Sequence, residues 1–351
     1  MSFDLSELGV EKNIPKVNFT EYSGLIVAEP KWGKTTLSSL YPNAIILPFE
    51  KGYKGNVANI FKRLFSWDDF IEFIDKLEEK REEIGDTIKV LVFDTVNEAY
   101  SMVDRYTLQR LSILDGKNYM AAREVPHGQF YSEKDKDFME QIRRIENLGF
   151  MPLFISHLEK KTVTPKKGEP YDIYTSTMPE RLQKIINPLV SYIIYGERTL
   201  ADDGNGNKIP KRVLLTKSDE MVTAGSRVRL DHNIVFDTEE EAMEKFQNAF
   251  KDSIRKTLIN AGIEKDLDVL SKEQQEEKNK EITKSLSGKK NEIELSQVIK
   301  QILSEIGTLT KEGKAPSVIM PILTDNGITD PHLISEVDLA KKILKELQDL
   351  N

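Results

Sequence analysis

The chain contains no cysteine. Neither a disulfide nor a thiolate metal site can form, and nothing in it requires an oxidising compartment. Histidine is nearly as scarce: His127, His157, His232 and His332 are scattered, which argues against a zinc site. No unbroken apolar stretch is long enough to cross a bilayer. The opening residues, MSFDLSELGVEKNIPK, lack the basic-then-apolar layout of a secretory signal. A cytoplasmic protein with no membrane partner is expected. Excess positive charge is missing as well. The net charge is −8, so the global field mildly repels nucleic acid, and any such contact must come from local basic loops.

Apolar residues are plentiful, at 39% of the chain against 31% charged, which is enough for a packed core under a charged surface. A length of 351 residues suggests two or three domains. Short apolar runs read as strands at 23–29, 43–50, 87–94 and 149–157. Helical spacing follows Gly33 and recurs over 67–85, from Asn97 to about Leu114, and over 132–147. Strands alternating with helices predict an α/β fold with a mostly parallel central sheet. PLVSYIIYGERT and KRVLLTK, joined through the turn-rich ADDGNGNKIP, predict a late antiparallel hairpin, and SRVRLDHNIVF predicts the last strand. After Asp237 the pattern becomes helical. Residues 271–292 are nearly free of large apolar side chains and read as an exposed helix or linker. The expected division is an N-terminal segment 1–19, an α/β domain 20–237, a helical or charged linker 238–292 and a small helical domain 293–351. Two phrases, IRKTLINAGIEKDL and IMPILTDNGITDPHL, resemble each other weakly and suggest a duplicated helical unit.

Chemistry concentrates in GLIVAEPKWGKTT. Ala28, Gly33, Lys34 and Thr35 take the four fixed places of G-x-x-x-x-G-K-[ST], with a strand running in and a helix running out. Such a loop wraps phosphate in backbone N–H groups, its lysine reaches the β- and γ-phosphates, and its Ser or Thr hydroxyl lies on Mg²⁺. Ala28 departs from the pattern by one methyl, which matters only if that residue needs positive φ or close backbone passage. Pro30 stiffens the loop, the bulky Trp32 can be accommodated because side chains in the loop's middle can point outward, and Thr36 completes the set.

The companions stand at the ends of the other strands. Asp94 ends VLVFD, where a carboxylate can support the metal. Glu50 follows IILPF and is either a water-activating base or a plain surface glutamate, with Glu98 as its rival. His157 ends PLFISH and is either a γ-phosphate sensor or an ordinary core-edge histidine. Arg227 and Arg229 lie two apart on the expected last strand, so they share a face that suits a phosphate; the bland reading is a pair of surface arginines.

This set of residues resembles the RecA-like P-loop ATPase core, and within it phage-encoded members acting in recombination and single-strand annealing. EPKWGKTT and FISHLEK carry most of the likeness, which covers about residues 20 to 237. The resemblance implies ATP with Mg²⁺, single-stranded DNA as ligand, and a homo-oligomeric ring or filament with ATP between subunits. It assigns nucleotide and metal to Lys34 and Thr35, metal support to Asp94, water activation to Glu50, coupling of nucleotide to DNA to His157, and reach across the subunit interface to Arg227 and Arg229. It also places DNA-binding loops at 115–132 and 158–178. The first holds Lys117, Tyr119 and Arg123. The second holds Lys160, Lys161, Lys166 and Lys167 beside Tyr171 and Tyr174, a mixture in which lysines track the phosphate chain and aromatics stack on bases; both are also readable as solvated loops. The C-terminal helices suit a protein partner. The alternatives are a nucleoside or nucleotide kinase on the same loop and a nucleotide-dependent scaffold without catalysis.

Overall fold

The computed structural model describes residues 8–10, 12–166, 168–202, 207–311 and 313–350. In chain order the elements are β1 (Gly24–Ala28), α1 (Lys34–Ser39), β2 (Ala44–Pro48), β3 (Asn59–Ile60), α2 (Trp67–Glu79), α3 (Arg81–Ile84), β4 (Val90–Asp94), α4 (Val96–Asp115), α5 (Gln129–Asn147), β5 (Met151–Val163), β6 (Tyr171–Ser176), α6 (Glu180–Leu189), β7 (Tyr192–Asp202), β8 (Lys208–Leu215), β9 (Gly225–Ser226), β10 (Ile234–Phe236), α7 (Glu239–Asn260), α8 (Leu267–Lys311), α9 (Pro316–Asp325) and α10 (Val337–Gln348).

The strands form one sheet in the order β10-β8-β7-β1-β5-β4-β2-β3. From β7 to β3 every pairing is parallel, while β8 and β10 are antiparallel additions. All of β1 and β4 is buried, as expected of parallel strands covered on both faces. The chain passes from β1 to β2 with β5 and β4 between them. The carboxyl ends of β1, β5, β4 and β2 therefore open on one crevice, where open α/β sheets place their ligands. Among the described residues no helix is long and apolar enough to cross a membrane.

Contacts divide the chain into Met1–Glu276 and Glu277–Asn351. The first unit includes α7, whose Phe246 and Phe250 pack with Phe19, Tyr41 and Tyr192 in the main core. Residues 239–276, set apart from the α/β domain in the sequence reading, thus contribute to its core, and 271–292 belong to the continuous helix α8. The second unit has a core of its own, built from Val298, Ile302 and Leu309 of α8, Ile319 and Leu323 of α9, and Ile343 and Leu347 of α10.

Several local expectations are corrected. Much of 158–178 is strand rather than loop: β5 continues to Val163 and pairs antiparallel with β6 (Tyr171–Ser176), Lys160 lying opposite Tyr174. The alternation of Thr, Val, Ile and Tyr through this stretch suits strand pairing in spite of its lysines. SRVRLDHNIVF is not one strand, because β9 stops at Ser226 and β10 starts at Ile234. The tip of the β7–β8 hairpin, 203–206, lies outside the described residues.

Candidate functional site

β1 delivers the chain into the loop 29–33 and α1 receives it. Gly33 sits at φ 113°, a conformation that suits glycine. Among the described residues the non-glycine positions with positive φ are Lys31, Asn43 and His127. Ala28 is therefore an ordinary strand residue, paired on one side with His157 and on the other with Gly196. Its extra methyl imposes no backbone strain, which is why alanine serves at this end of the motif.

Lys34 is buried, at 6% exposure. Its ammonium donates to the carbonyls of Ala28 at 2.7 Å and Glu29 at 2.8 Å, and lies 3.2 Å from His157 Nδ1. An ammonium only donates, so Nδ1 accepts and the ring proton stands on Nε2, aimed at Glu50 Oε2 at 3.2 Å. Lys34, His157 and Glu50 thus form a polar relay across the ends of β1, β5 and β2. Burial pushes Lys34 down to about 8, against the pull of Asp94, Glu50 and Glu29 toward the charged form.

Thr35 donates its hydroxyl to Asp94 Oδ2 at 2.6 Å. Asp94 is 5% exposed, and burial raises its carboxyl above the usual range even though Thr35 opposes the shift. A hydroxyl and a desolvated carboxylate in contact are a hard-oxygen pair of the kind Mg²⁺ takes, and a cation there would offset the burial of the charge. The residues present therefore fit the metal. Glu50 hangs beside them, its backbone N–H bonded to Asp94 O at 2.9 Å. Glu98 stands exposed on the first turn of α4. Thr36 donates to Asn56 Oδ1 at 3.1 Å.

Trp32 does not point outward. It is 2% exposed, its indole N–H donates to Glu197 O at 3.0 Å, and its ring meets Phe236 edge-on at 5.6 Å. The loop's middle is anchored under β7 and β10, leaving Pro30 and Lys31 exposed. Two more side chains brace it: Arg198 pairs with Glu29 at 3.0 Å, and Arg212 Nη1 donates to Trp32 O at 3.2 Å. Neither arginine stands in a motif of the sequence. Their relevance arises only when β7 and β8 dock beside β1, and no local pattern signals it.

Arg227 and Arg229 lie in an irregular segment rather than on a strand. Both are exposed, alternating with buried Val228 and Leu230, so they share the solvent face. Arg227 donates to Pro188 O at 2.6 Å, and Arg229 is 91% exposed, 3.5 Å from Asp231. In 115–132, Lys117 and Arg123 are exposed. Tyr119 is not: it packs with Leu111, Val125 and Phe130 while its hydroxyl donates to Asp115 at 2.8 Å, so it is not a stacking platform. On the β5–β6 hairpin, Lys160 pairs with Asp172 at 2.7 Å, Lys161 and Lys166 are exposed, and Tyr171 is half exposed. Lys167 lies outside the described residues. The hairpin's base is fastened by buried Ser156, which donates to Asn97 Oδ1 at 2.9 Å and lies 2.7 Å from the Oγ of buried Ser176, an arrangement that no motif in the sequence signals.

No curated protein matches the sequence. Among solved structures, the flagellar accessory protein FlaH from Methanocaldococcus jannaschii is similar over 67% of this chain and 92% of its own, at 14% identity and a TM-score of 0.32. Residues 20–228, which carry the loop, Glu50, Asp94, His157 and the whole parallel sheet up to β9, match the AAA domain family AAA_24. The strand order, the phosphate loop at the end of β1 and that match agree: the chain belongs to the AAA domain family and has a RecA-like P-loop ATPase fold.

Proposed function

We propose that this protein hydrolyses ATP with Mg²⁺, binds single-stranded DNA through the β5–β6 hairpin, and acts in phage DNA recombination, annealing or replication as an ATP-bridged homo-oligomer. One observation carries the reading: β5 runs without a break from His157, in contact with Lys34 and Glu50, into the lysine-bearing hairpin. A force on the hairpin reaches the nucleotide crevice through a single strand.

In this scheme Lys34 and the loop amides would hold the triphosphate, and Thr35 and Asp94 would hold the metal, whose charge would offset that of the phosphates. Lys34 exchanges its contacts with the Ala28 and Glu29 carbonyls for phosphate oxygens. Its withdrawal leaves His157 Nδ1 without a donor, and the ring is then free to turn and release Glu50. Glu50 orients the attacking water and takes its proton. Lys161, Lys166 and Tyr171 offer charge and a stacking face to a single strand. Exposed Arg229 suits an anionic group on a neighbouring subunit.

The test measures ATPase rate and particle size with and without single-stranded DNA, for the parent, Lys34→Ala and the pair Lys161→Glu, Lys166→Glu. DNA is expected to raise the parent's rate and size. Lys34→Ala is expected to abolish both while remaining folded, and the paired variant to keep basal turnover but lose the DNA response. A parent whose rate and size ignore DNA removes the DNA half of the proposal. Transfer of phosphate from ATP to nucleosides or nucleotides in place of water would move the assignment to a kinase.

A further inference from the structure

The guanidinium of Arg212, on β8, is spent almost entirely on the loop and its surroundings. Nη1 donates to the carbonyl of Trp32 at 3.2 Å and to Glu239 Oε1, while Nη2 donates to Glu239 Oε2 at 3.1 Å and to Asp237 O at 2.6 Å. Its carbon also lies 5.0 Å from the centre of the Phe236 ring. The two side chains are 23% and 18% exposed. This is a two-pronged arginine–carboxylate contact of the geometrically demanding kind, at a partly desolvated position. Glu239 is the first residue of α7. The same pair closes off the space beside Gly33, where an added Cβ would run into the Glu239 carboxylate and the Arg212 guanidinium.

The direction of one peptide makes this matter. The Trp32–Gly33 bond is trans, because the cis peptide among the described residues is Asp94–Thr95. In a planar trans peptide the C=O and the following N–H point opposite ways. Arg212 holds the Trp32 carbonyl toward β8, so the Gly33 N–H is turned away from it. The Trp32 side chain is tied separately, its indole N–H donating to Glu197 O on β7 at 3.0 Å.

We propose that Arg212, gripped by Glu239, is a positioning residue that fixes the Trp32–Gly33 peptide in its phosphate-binding orientation and ties that orientation to the first turn of α7. This rests on the loop's being a nucleotide-binding loop. Neither residue touches the reacting phosphate. Their loss therefore weakens nucleotide binding by letting the peptide rotate, and leaves saturated turnover largely alone.

The test uses the full chain with Arg212→Gln, Glu239→Gln and the double variant. It reads affinity for a fluorescent ATP analogue with Mg²⁺, turnover at saturating ATP, and amide hydrogen exchange of residues 29–34 in nucleotide-free protein. Each single variant is expected to bind about tenfold more weakly with turnover within about twofold, as for a misplaced binding group. The double variant is expected to be no worse than the weaker single, because the two residues act as one unit. Loop amides are expected to exchange faster in every variant. Glu239→Gln is nearly isosteric and keeps the assay readable if Arg212→Gln fails to fold. Unchanged affinity and loop exchange in a folded single variant would overturn the clamp while the ATPase reading stands, and additive losses would overturn the paired action. A parent that shows no saturable binding of the analogue would overturn the ATPase reading and the clamp's role with it.

Discussion

Ala28 and Lys34 show how much a single position controls. With no positive φ at residue 28, glycine there gains nothing and adds chain entropy to the unfolded state. Ala28→Gly is expected to leave Mg·ATP affinity unchanged and to lower stability by about 0.5–1 kcal/mol, read by denaturant melts. Lys34 carries a pH signature. Burial lowers it from 10.5 to about 8. Between those values the folded protein holds a neutral amine and the unfolded chain a charged one. Folding therefore releases a proton, and the stability contributed here rises with pH through the window. Binding of an anionic phosphate has the opposite dependence, since it needs the charged amine. ATP affinity is expected to fall as pH climbs past about 8 in the parent, and to show no such fall in Lys34→Arg, whose guanidinium stays charged. An identical pH profile in the two proteins would contradict this account of the lysine.

Helix ends account for features that side-chain chemistry does not. The two similar phrases of the sequence prove to share a helix stop. After α7, Gly262 stands at φ 70° and Ile263 N–H bonds to Leu258 O at 2.9 Å; after α9, Gly327 stands at φ 74° and Ile328 N–H bonds to Leu323 O at 2.9 Å. Both are Schellman stops closed by a left-handed glycine and an isoleucine. That motif recurs for local reasons, and it explains the likeness without a duplication. At the other end of α7, Thr238 accepts from the Glu241 N–H at 3.2 Å, and Glu241 accepts from the Asp237 N–H at 2.8 Å. Thr238→Ala is expected to cost about 1 kcal/mol, seen as a lowered melting midpoint. The Asp237 N–H, with Lys245 assisting, holds Glu241 down to about 2 against an ordinary 4.5. This contribution is complete above 4.5 and is lost as pH falls toward about 2, so acid should narrow the gap between the parent and Glu241→Gln.

Across the molecule, the net charge is −8 and basic and acidic side chains are interspersed. Exposed lysines are dispersed over the surface among a larger number of acidic residues, so the proposed binding to single-stranded DNA, which rests on the few lysines of the hairpin, should be salt-sensitive with a modest slope rather than that of a basic coat. Arg229 is 91% exposed and held only loosely by Asp231 at 3.5 Å, which leaves it available to a neighbouring subunit. Arg229→Glu is expected to abolish ATP-dependent growth in particle size by light scattering while the monomer melts as the parent does. Growth equal to the parent's would remove this arginine from the interface.

The phosphate loop, the alternation of strands and helices and the aspartate closing β4 were legible in the residues alone. Each is a local matter: a buried parallel strand must be a short apolar run, and a tight turn around phosphate must be glycine and lysine in close sequence. Other features were settled by folding. Trp32 is buried because Glu197, 165 residues on, accepts its N–H, and the loop's peptide is braced by Arg212, 180 residues on. The meeting of His157 with Glu50 spans 107 residues. A lysine-rich stretch that reads as loop became a hairpin because an adjacent strand could satisfy its backbone groups. Local composition records what a residue can do; only the docking of β7, β8 and α7 beside β1 establishes which partner it meets.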